Sequence, residues 1–234
     1  MASIDTRLQT VKGRIAQACL RAGRDVQSVT LLAVSKTQGA EAVREAAACG
    51  QAHFGENYVQ EALEKIAALA ALRERLVWHL IGPLQSNKTR LVAEAFDWVH
   101  TVDRLKIAQR LSEQRPPQLA PLQVCLQVNV SGEASKSGVE PQALAELAHA
   151  VAALPRLRLR GLMAIPEPVA DLQAQREPHR RLAALCAALR GQGLALDTLS
   201  MGMSADLEAA VAEGATIVRV GTAIFGERAR PAAA

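Results

Sequence analysis

Aromatic residues are nearly missing from this chain. Three phenylalanines, two tryptophans and one tyrosine make up 3% of 234 residues, so alanine and the aliphatic side chains must build the core. Cysteine is as sparse. Cys19, Cys49, Cys125 and Cys186 stand far apart, with no C-x-x-C and no Cys/His spacing of the zinc kind. That excludes a structural zinc module and fits a reduced, cytosolic protein. No run of about 18 apolar residues occurs, so no membrane span is expected. The N-terminus lacks the charge-then-apolar order of a signal peptide, so Asn129-Val130-Ser131 is a glycosylation sequon by chance. Basic residues form no block; the net charge of +4 is spread along the chain. Nucleic-acid binding is not expected, and the mild excess favours small anionic ligands. There is no G-x-G-x-x-G after the first apolar run and no G-x-x-x-x-G-K-[ST] anywhere, which argues against an open doubly wound nucleotide fold.

What is present is alternation. Half the residues are hydrophobic, enough for a sizeable core. Residues 1–23 mix Asp5, Arg7, Lys12 and Arg14 with Leu8, Val11, Ile15 and Cys19, the pattern of an amphipathic helix. Eight β-type runs follow: 29–35, 52–54, 77–81, 98–102, 122–130, 157–163, 197–200 and 216–220. Helical segments separate them at 39–49, 57–75, 86–95, 104–114, 141–153, 171–190 and 204–213. Gly50 and Gly214 suit helix C-termini, Pro141 a first helical turn, and Ser204 followed by Asp206 a helix N-terminus. Short, continuously apolar strands alternating with helices predict a single (β/α)8 TIM barrel spanning 1–234, with residues 1–27 as an extra helix packed outside it. An open sheet is the alternative.

In such a barrel the working face is the set of strand carboxyl ends. The first run, Leu31-Leu32-Ala33-Val34-Ser35-Lys36-Thr37, delivers Lys36 there. Partial desolvation of its amine lowers the pKa and frees a lone pair for a carbonyl; the plain alternative is a lysine reaching into water. The last two loops are rich in Gly, Ser and Thr. Ser200, Ser204 and Thr222 offer hydroxyls, and Gly202 and Gly221 admit close backbone approach to a phosphate. Individually, Ser204 can simply cap a helix and Gly221 simply turn the chain. Arg219 interrupts the apolar run Ile217-Val218-Arg219-Val220 and needs an acceptor, either an inward acidic residue or a ligand. His53 and His79 lie in strands and read as barrel-lining, with His79 a secondary site candidate. Met163, Met201 and Met203 can flank a planar ring or simply pack the core.

Ala33-Val34-Ser35-Lys36, Phe54-Gly55-Glu56-Asn57-Tyr58 and Trp78-His79-Leu80-Ile81-Gly82-Pro83-Leu84-Gln85-Ser86-Asn87-Lys88 occur in that order. Asn129–Gly138, Gly161-Leu162-Met163, Leu199–Asp206 and Val218–Gly226 complete the set. Together, from about Leu31 to Arg228, they closely resemble the pyridoxal phosphate homeostasis protein family. The resemblance implies a barrel like the N-terminal domain of alanine racemase, with pyridoxal 5'-phosphate held as a Schiff base on Lys36. It implies that Arg219 faces the pyridine nitrogen, that Ser200, Ser204, Gly221 and Thr222 hold the phosphate, and that Asn57 lines the pocket. Met201, Gly202, His79 and Lys136 are secondary candidates; Lys136, on a Gly/Ser loop, suits cofactor hand-off or a second phosphate contact. No metal is implied.

The function expected is binding and buffering or delivery of pyridoxal 5'-phosphate in vitamin B6 homeostasis, with apo PLP-dependent enzymes as candidate recipients. Little turnover is expected. The eight units leave no second domain to supply an opposing acid or base, and an arginine at the pyridine nitrogen makes a poor electron sink. Tyr58 is the only tyrosine. A PLP-dependent amino-acid racemase or lyase is the alternative, and a PLP-free Schiff-base aldolase on Lys36 a third. A monomer is expected.

Overall fold

In a computed structural model, which describes residues 2–131 and 137–226, eight parallel strands run in sequence order around a closed barrel. They are β1 (Thr30–Val34), β2 (His53–Glu56), β3 (Val77–Leu80), β4 (Trp98–Val102), β5 (Leu122–Gln127), β6 (Leu157–Met163), β7 (Thr198–Ser200) and β8 (Ile217–Val220). The closing seam pairs Leu32 of β1 with Arg219 of β8 and Ala33 with Val220. Helices α1 (Ile4–Arg21), α2 (Ala40–Ala48), α3 (Val59–Ala68), α4 (Thr89–Ala95), α5 (Leu105–Gln114), α6 (Leu144–Ala152), α7 (Leu172–Gly191), α8 (Leu207–Ala212) and α9 (Thr222–Phe225) accompany them.

The helix α1 follows from its sequence. Ser3 caps it by accepting from the Thr6 N–H at 3.2 Å. Its buried stripe of Leu8, Val11, Ile15, Ala18 and Cys19 has helical spacing and packs against α2, α8 and α9 outside the barrel. Trp78, Phe54 and Phe96 are wholly buried within the core that joins barrel and helices. Three of the six aromatic rings counted in the sequence are therefore placed where each removes the most apolar surface from water.

Several boundaries differ from the sequence reading. β2 runs on through Gly55 and Glu56, because Glu56 is a buried side chain with an ammonium partner, Lys65. β5 stops at Gln127, and Val128 makes only an isolated bridge to Val139. The long helix expected over 57–75 ends at Ala68 and continues as a 3-10 turn, Ala70–Leu72. Pro141 opens a 3-10 turn leading into α6. Ser204 does not cap α8, which begins three residues later at Leu207. The neighbouring Asp206 carboxylate turns back to accept from the Met203 N–H at 2.6 Å and holds residues 203–206 as a turn.

Candidate functional site

At the carboxyl ends of β1, β2, β7 and β8 the loops surround a cavity of about 290 Å³, at the lower end of the roughly 300–1,000 Å³ range of small-molecule sites. Lys36 enters it directly after β1, and Asn57 directly after β2. Ser204 comes from the β7 loop, and Arg219, Gly221 and Thr222 from the end of β8. Val34, Ile81, Ile165 and Met203 add an apolar lining, and Ala205 the remainder. Two separated stretches of sequence thus meet across the β1–β8 seam.

The polar atoms here are distributed in a telling way. Asn57 Oδ1 is buried with no hydrogen-bond partner, an acceptor that costs free energy until a donor reaches it. The backbone carrying it is gripped at Gly82, where any Cβ would lie 2.2 Å from the Asn57 carbonyl oxygen. Among the described residues the hydroxyls of Ser204 and Thr222 have no protein partner, whereas Ser200 has two. At Gly221 a Cβ would come within 3.0 Å of the Val34 carbonyl oxygen, so backbone alone borders the cavity there.

Arg219 is 4% exposed. Its Nη1 donates to the Ser200 carbonyl at 2.6 Å and to Ser200 Oγ at 2.9 Å, and its Nη2 to the Ala164 carbonyl at 2.8 Å. Among the described residues no carboxylate pairs with it, and Nε has no protein acceptor. Burial lowers its pKa to about 10, with Asp206 opposing. It therefore stays a cation, fixed at the base of the cavity.

Beneath Arg219 a hydrogen-bonded column crosses the barrel. Ser200 Oγ lies 2.7 Å from His100 Nδ1, His100 Nε2 lies 2.9 Å from His79 Nδ1, and His79 Nε2 lies 2.9 Å from His53 Nδ1. Ser200 Oγ accepts from Arg219, and its remaining lone pair or its own proton completes the bond to His100 Nδ1. Between neutral rings each of these contacts carries one proton, and the tautomer of one ring sets the direction for the next. Burial pushes His79 well below its ordinary range and His100 to about 3, and lowers His53. His79 also stacks on Trp98 at 5.3 Å between ring centroids.

The structure thus gathers Lys36, Asn57, Ser204, Arg219, Gly221 and Thr222 around one cavity. It keeps Ser200, Met201 and His79 out of the lining. Ser200 lies beneath, engaged by Arg219 and His100, and Met201 and Met163 are wholly buried. Only Met203 of the three methionines reaches the cavity. Gly202 shapes the loop from φ 89°, with its carbonyl accepting from the Arg219 N–H at 2.9 Å. Lys136 lies outside the described residues.

Sequence reasoning missed what braces the β7 loop. The carbonyl of Ser204 accepts from Arg14 of α1 at 3.0 Å, and the same guanidinium grips Glu208 through two donors at 2.9 Å. The other oxygen of Asp206 meets the wholly buried His179 of α7 at 2.9 Å. Burial opposes the charge on Asp206, but the bonds from His179 and the Met203 N–H outweigh it and hold the carboxyl below its usual range. These partners are 190 and 27 residues away in sequence, and no local pattern announces them.

The profile of the alanine racemase N-terminal domain matches residues 8–229. The pyridoxal phosphate homeostasis protein of Pseudomonas aeruginosa is 64% identical over 97% of both chains. The chain belongs to the pyridoxal phosphate homeostasis protein family. Within it, the structure of PipY from Synechococcus elongatus, solved with PLP bound, is 40% identical with a TM-score of 0.82, over 96% of this chain and 100% of that one. Alanine racemase from Clostridium difficile shares the fold at 12% identity and a TM-score of 0.72, over 91% of this chain and 58% of the racemase. The closed parallel barrel anticipated from the alternation of strands and helices is the fold of this family.

Proposed function

We propose that this protein holds pyridoxal 5'-phosphate in the cavity at the β1–β8 seam and buffers or delivers it within the cell, with little or no turnover. The observation that carries the reading is the meeting of Lys36, Arg219 and two unpartnered hydroxyls, Ser204 and Thr222, on one cavity beside an orphaned acceptor, Asn57 Oδ1. That donor and acceptor set fits the group: a phosphate for the hydroxyls and the bare backbone at Gly221, and a donor for Asn57. Arg219 Nε would be the donor for a ring nitrogen. When bound, the cofactor would supply an aldehyde to the Lys36 amine.

The residues around the cavity suit storage better than turnover. Arg219 cannot give up its proton at neutral pH, so it keeps a ring nitrogen that it bonds unprotonated, a weak electron sink. Tyr58, the one phenol available as a second base, does not line the cavity and is 56% exposed. A carrier role makes apo PLP-dependent enzymes natural recipients and a cytosolic monomer the natural form.

The test is the visible spectrum with added pyridoxal 5'-phosphate, before and after borohydride. Wild type should show a yellow band that borohydride bleaches while fixing the cofactor to Lys36, and Lys36→Ala should lack it. No band in wild type would overturn the binding reading. Interconversion of alanine enantiomers by the loaded protein at roughly 1 per second or faster would replace the carrier with an enzyme.

A further inference from the structure

Thr37, immediately after the cavity lysine, has φ 65° and is the only non-glycine among the described residues with positive φ. A β-branched residue there is a true outlier, held only if its surroundings over-determine it. The surroundings are a charge cluster, buried at Lys65 and Glu56 and open toward solvent at Glu61 and Thr37, that the binding reading does not use. The Thr37 N–H donates to Glu61 Oε1 at 2.6 Å. The same oxygen accepts from Lys65 at 2.5 Å, one helical turn along α3. Lys65 is 4% exposed. Its other two N–H groups go to the Ser35 carbonyl at 2.7 Å and Glu56 Oε1 at 2.8 Å. Glu56 Oε1 in turn accepts from the Ser35 hydroxyl at 2.6 Å. Both backbone neighbours of Lys36 are thereby tied to one ammonium and two carboxylates, and all three donors of that ammonium are used.

Plain stabilisation does not account for this arrangement. Two carboxylates share one buried ammonium, and Glu56 Oε2 has no partner. Burial pushes the Glu56 carboxyl up, and Lys65 and Ser35 bring it back only in part. An apolar packing of equal volume would serve stability as well or better. What this cluster does beyond that is anchor Ser35 and hold Thr37 in a conformation the chain would not otherwise choose.

We propose that Glu61, backed by Lys65 and Glu56, is a positioning residue that aims Lys36 into the cavity by holding Thr37 in its left-handed conformation. The inference rests on the reading that Lys36 takes the cofactor covalently. Two ligands separate the roles. Pyridoxal 5'-phosphate needs a correctly aimed lysine, whereas pyridoxine 5'-phosphate has no aldehyde and needs only the cavity. In Glu61→Ala, the fraction of pyridoxal 5'-phosphate fixed to Lys36 by borohydride at sub-saturating ligand should fall about tenfold, the worth of one charge-assisted hydrogen bond. Affinity for pyridoxine 5'-phosphate should stay within about twofold. Glu61→Gln keeps an acceptor oxygen and should remain close to wild type. Adding Thr37→Gly to Glu61→Ala should restore the covalent yield, because glycine adopts this φ unaided. An unchanged yield in Glu61→Ala, equal loss of both ligands, or no rescue by Thr37→Gly would each overturn the proposal. Wild-type protein that binds pyridoxine 5'-phosphate but fixes no pyridoxal 5'-phosphate would overturn it together with the covalent reading beneath it.

Discussion

Arg219 and Gly202 are two positions whose chemistry is hard to replace. Arg219→Met would leave the Ala164 carbonyl buried without a donor and the Ser200 carbonyl with only the Ala164 N–H at 3.3 Å, at roughly 1–3 kcal/mol for the first. A urea titration should find it less stable by about 1–3 kcal/mol. Gly202 combines φ 89° with a site where any Cβ would stand 2.4 Å from the Ala210 Cβ. Backbone strain and overpacking each cost on the order of 1–3 kcal/mol, so Gly202→Ala should lower Tm by several degrees and weaken cofactor binding. A Gly202→Ala protein as stable as wild type would mean that α8 shifts freely away from the loop.

At the scale of elements, α1 is more than cladding. Through Arg14 it reaches across α8 to the Ser204 carbonyl on the cavity wall. Arg14 and Glu208 are both about a third exposed, so their ion pair adds little to stability. Arg14→Ala should therefore change the unfolding free energy by less than about 1 kcal/mol. The affinity for pyridoxal 5'-phosphate should nevertheless drop about two- to tenfold, the worth of one hydrogen bond to the loop. Equilibrium titration beside a thermal melt separates the two effects. This element also marks where sequence reading ends. The α1 stripe and all eight strands were legible, because period 3.6 and short apolar runs are local properties of the chain. Lys36, Arg219, Gly221 and Thr222 could be assigned to one face because strand ends in a barrel converge there, whereas Asn57 was singled out only by the family resemblance. The contacts Arg14–Ser204, His179–Asp206 and Lys65–Ser35 were not, since each depends on which helix lies over which loop. The start of α8 was misplaced for the same reason: Asp206 faces a histidine on α7 and bends the turn that Ser204 was expected to cap.

For the molecule as a whole, the histidine column sets the response to acid. His79, His100 and, less completely, His53 are held neutral by burial, with folded pKa values lowered. Unfolded chains take up these protons below about pH 6.5 while the native barrel does not, so stability must fall as pH drops through that value. Each fully refusing histidine contributes about 1.4 kcal/mol per pH unit. Carboxylates whose pKa values are depressed, such as Asp206, titrate only at lower pH, whereas Glu56, raised by burial, takes up a proton in the native state with the opposite sign, so the column is read from the difference between wild type and a histidine variant in urea unfolding between pH 6 and 5. His100→Gln should flatten that slope by about one proton, and a flat wild-type profile would mean that the folded barrel accepts the charge. The closure of β1 onto β8 has a different consequence. A protein that stores its ligand one for one has a capacity equal to its own abundance, so it gains from tolerating crowding in a way an enzyme at trace levels does not. A sheet with no free edge offers no row of unpaired amides for a neighbouring copy to extend, so that route to self-association is closed at any concentration the cell reaches.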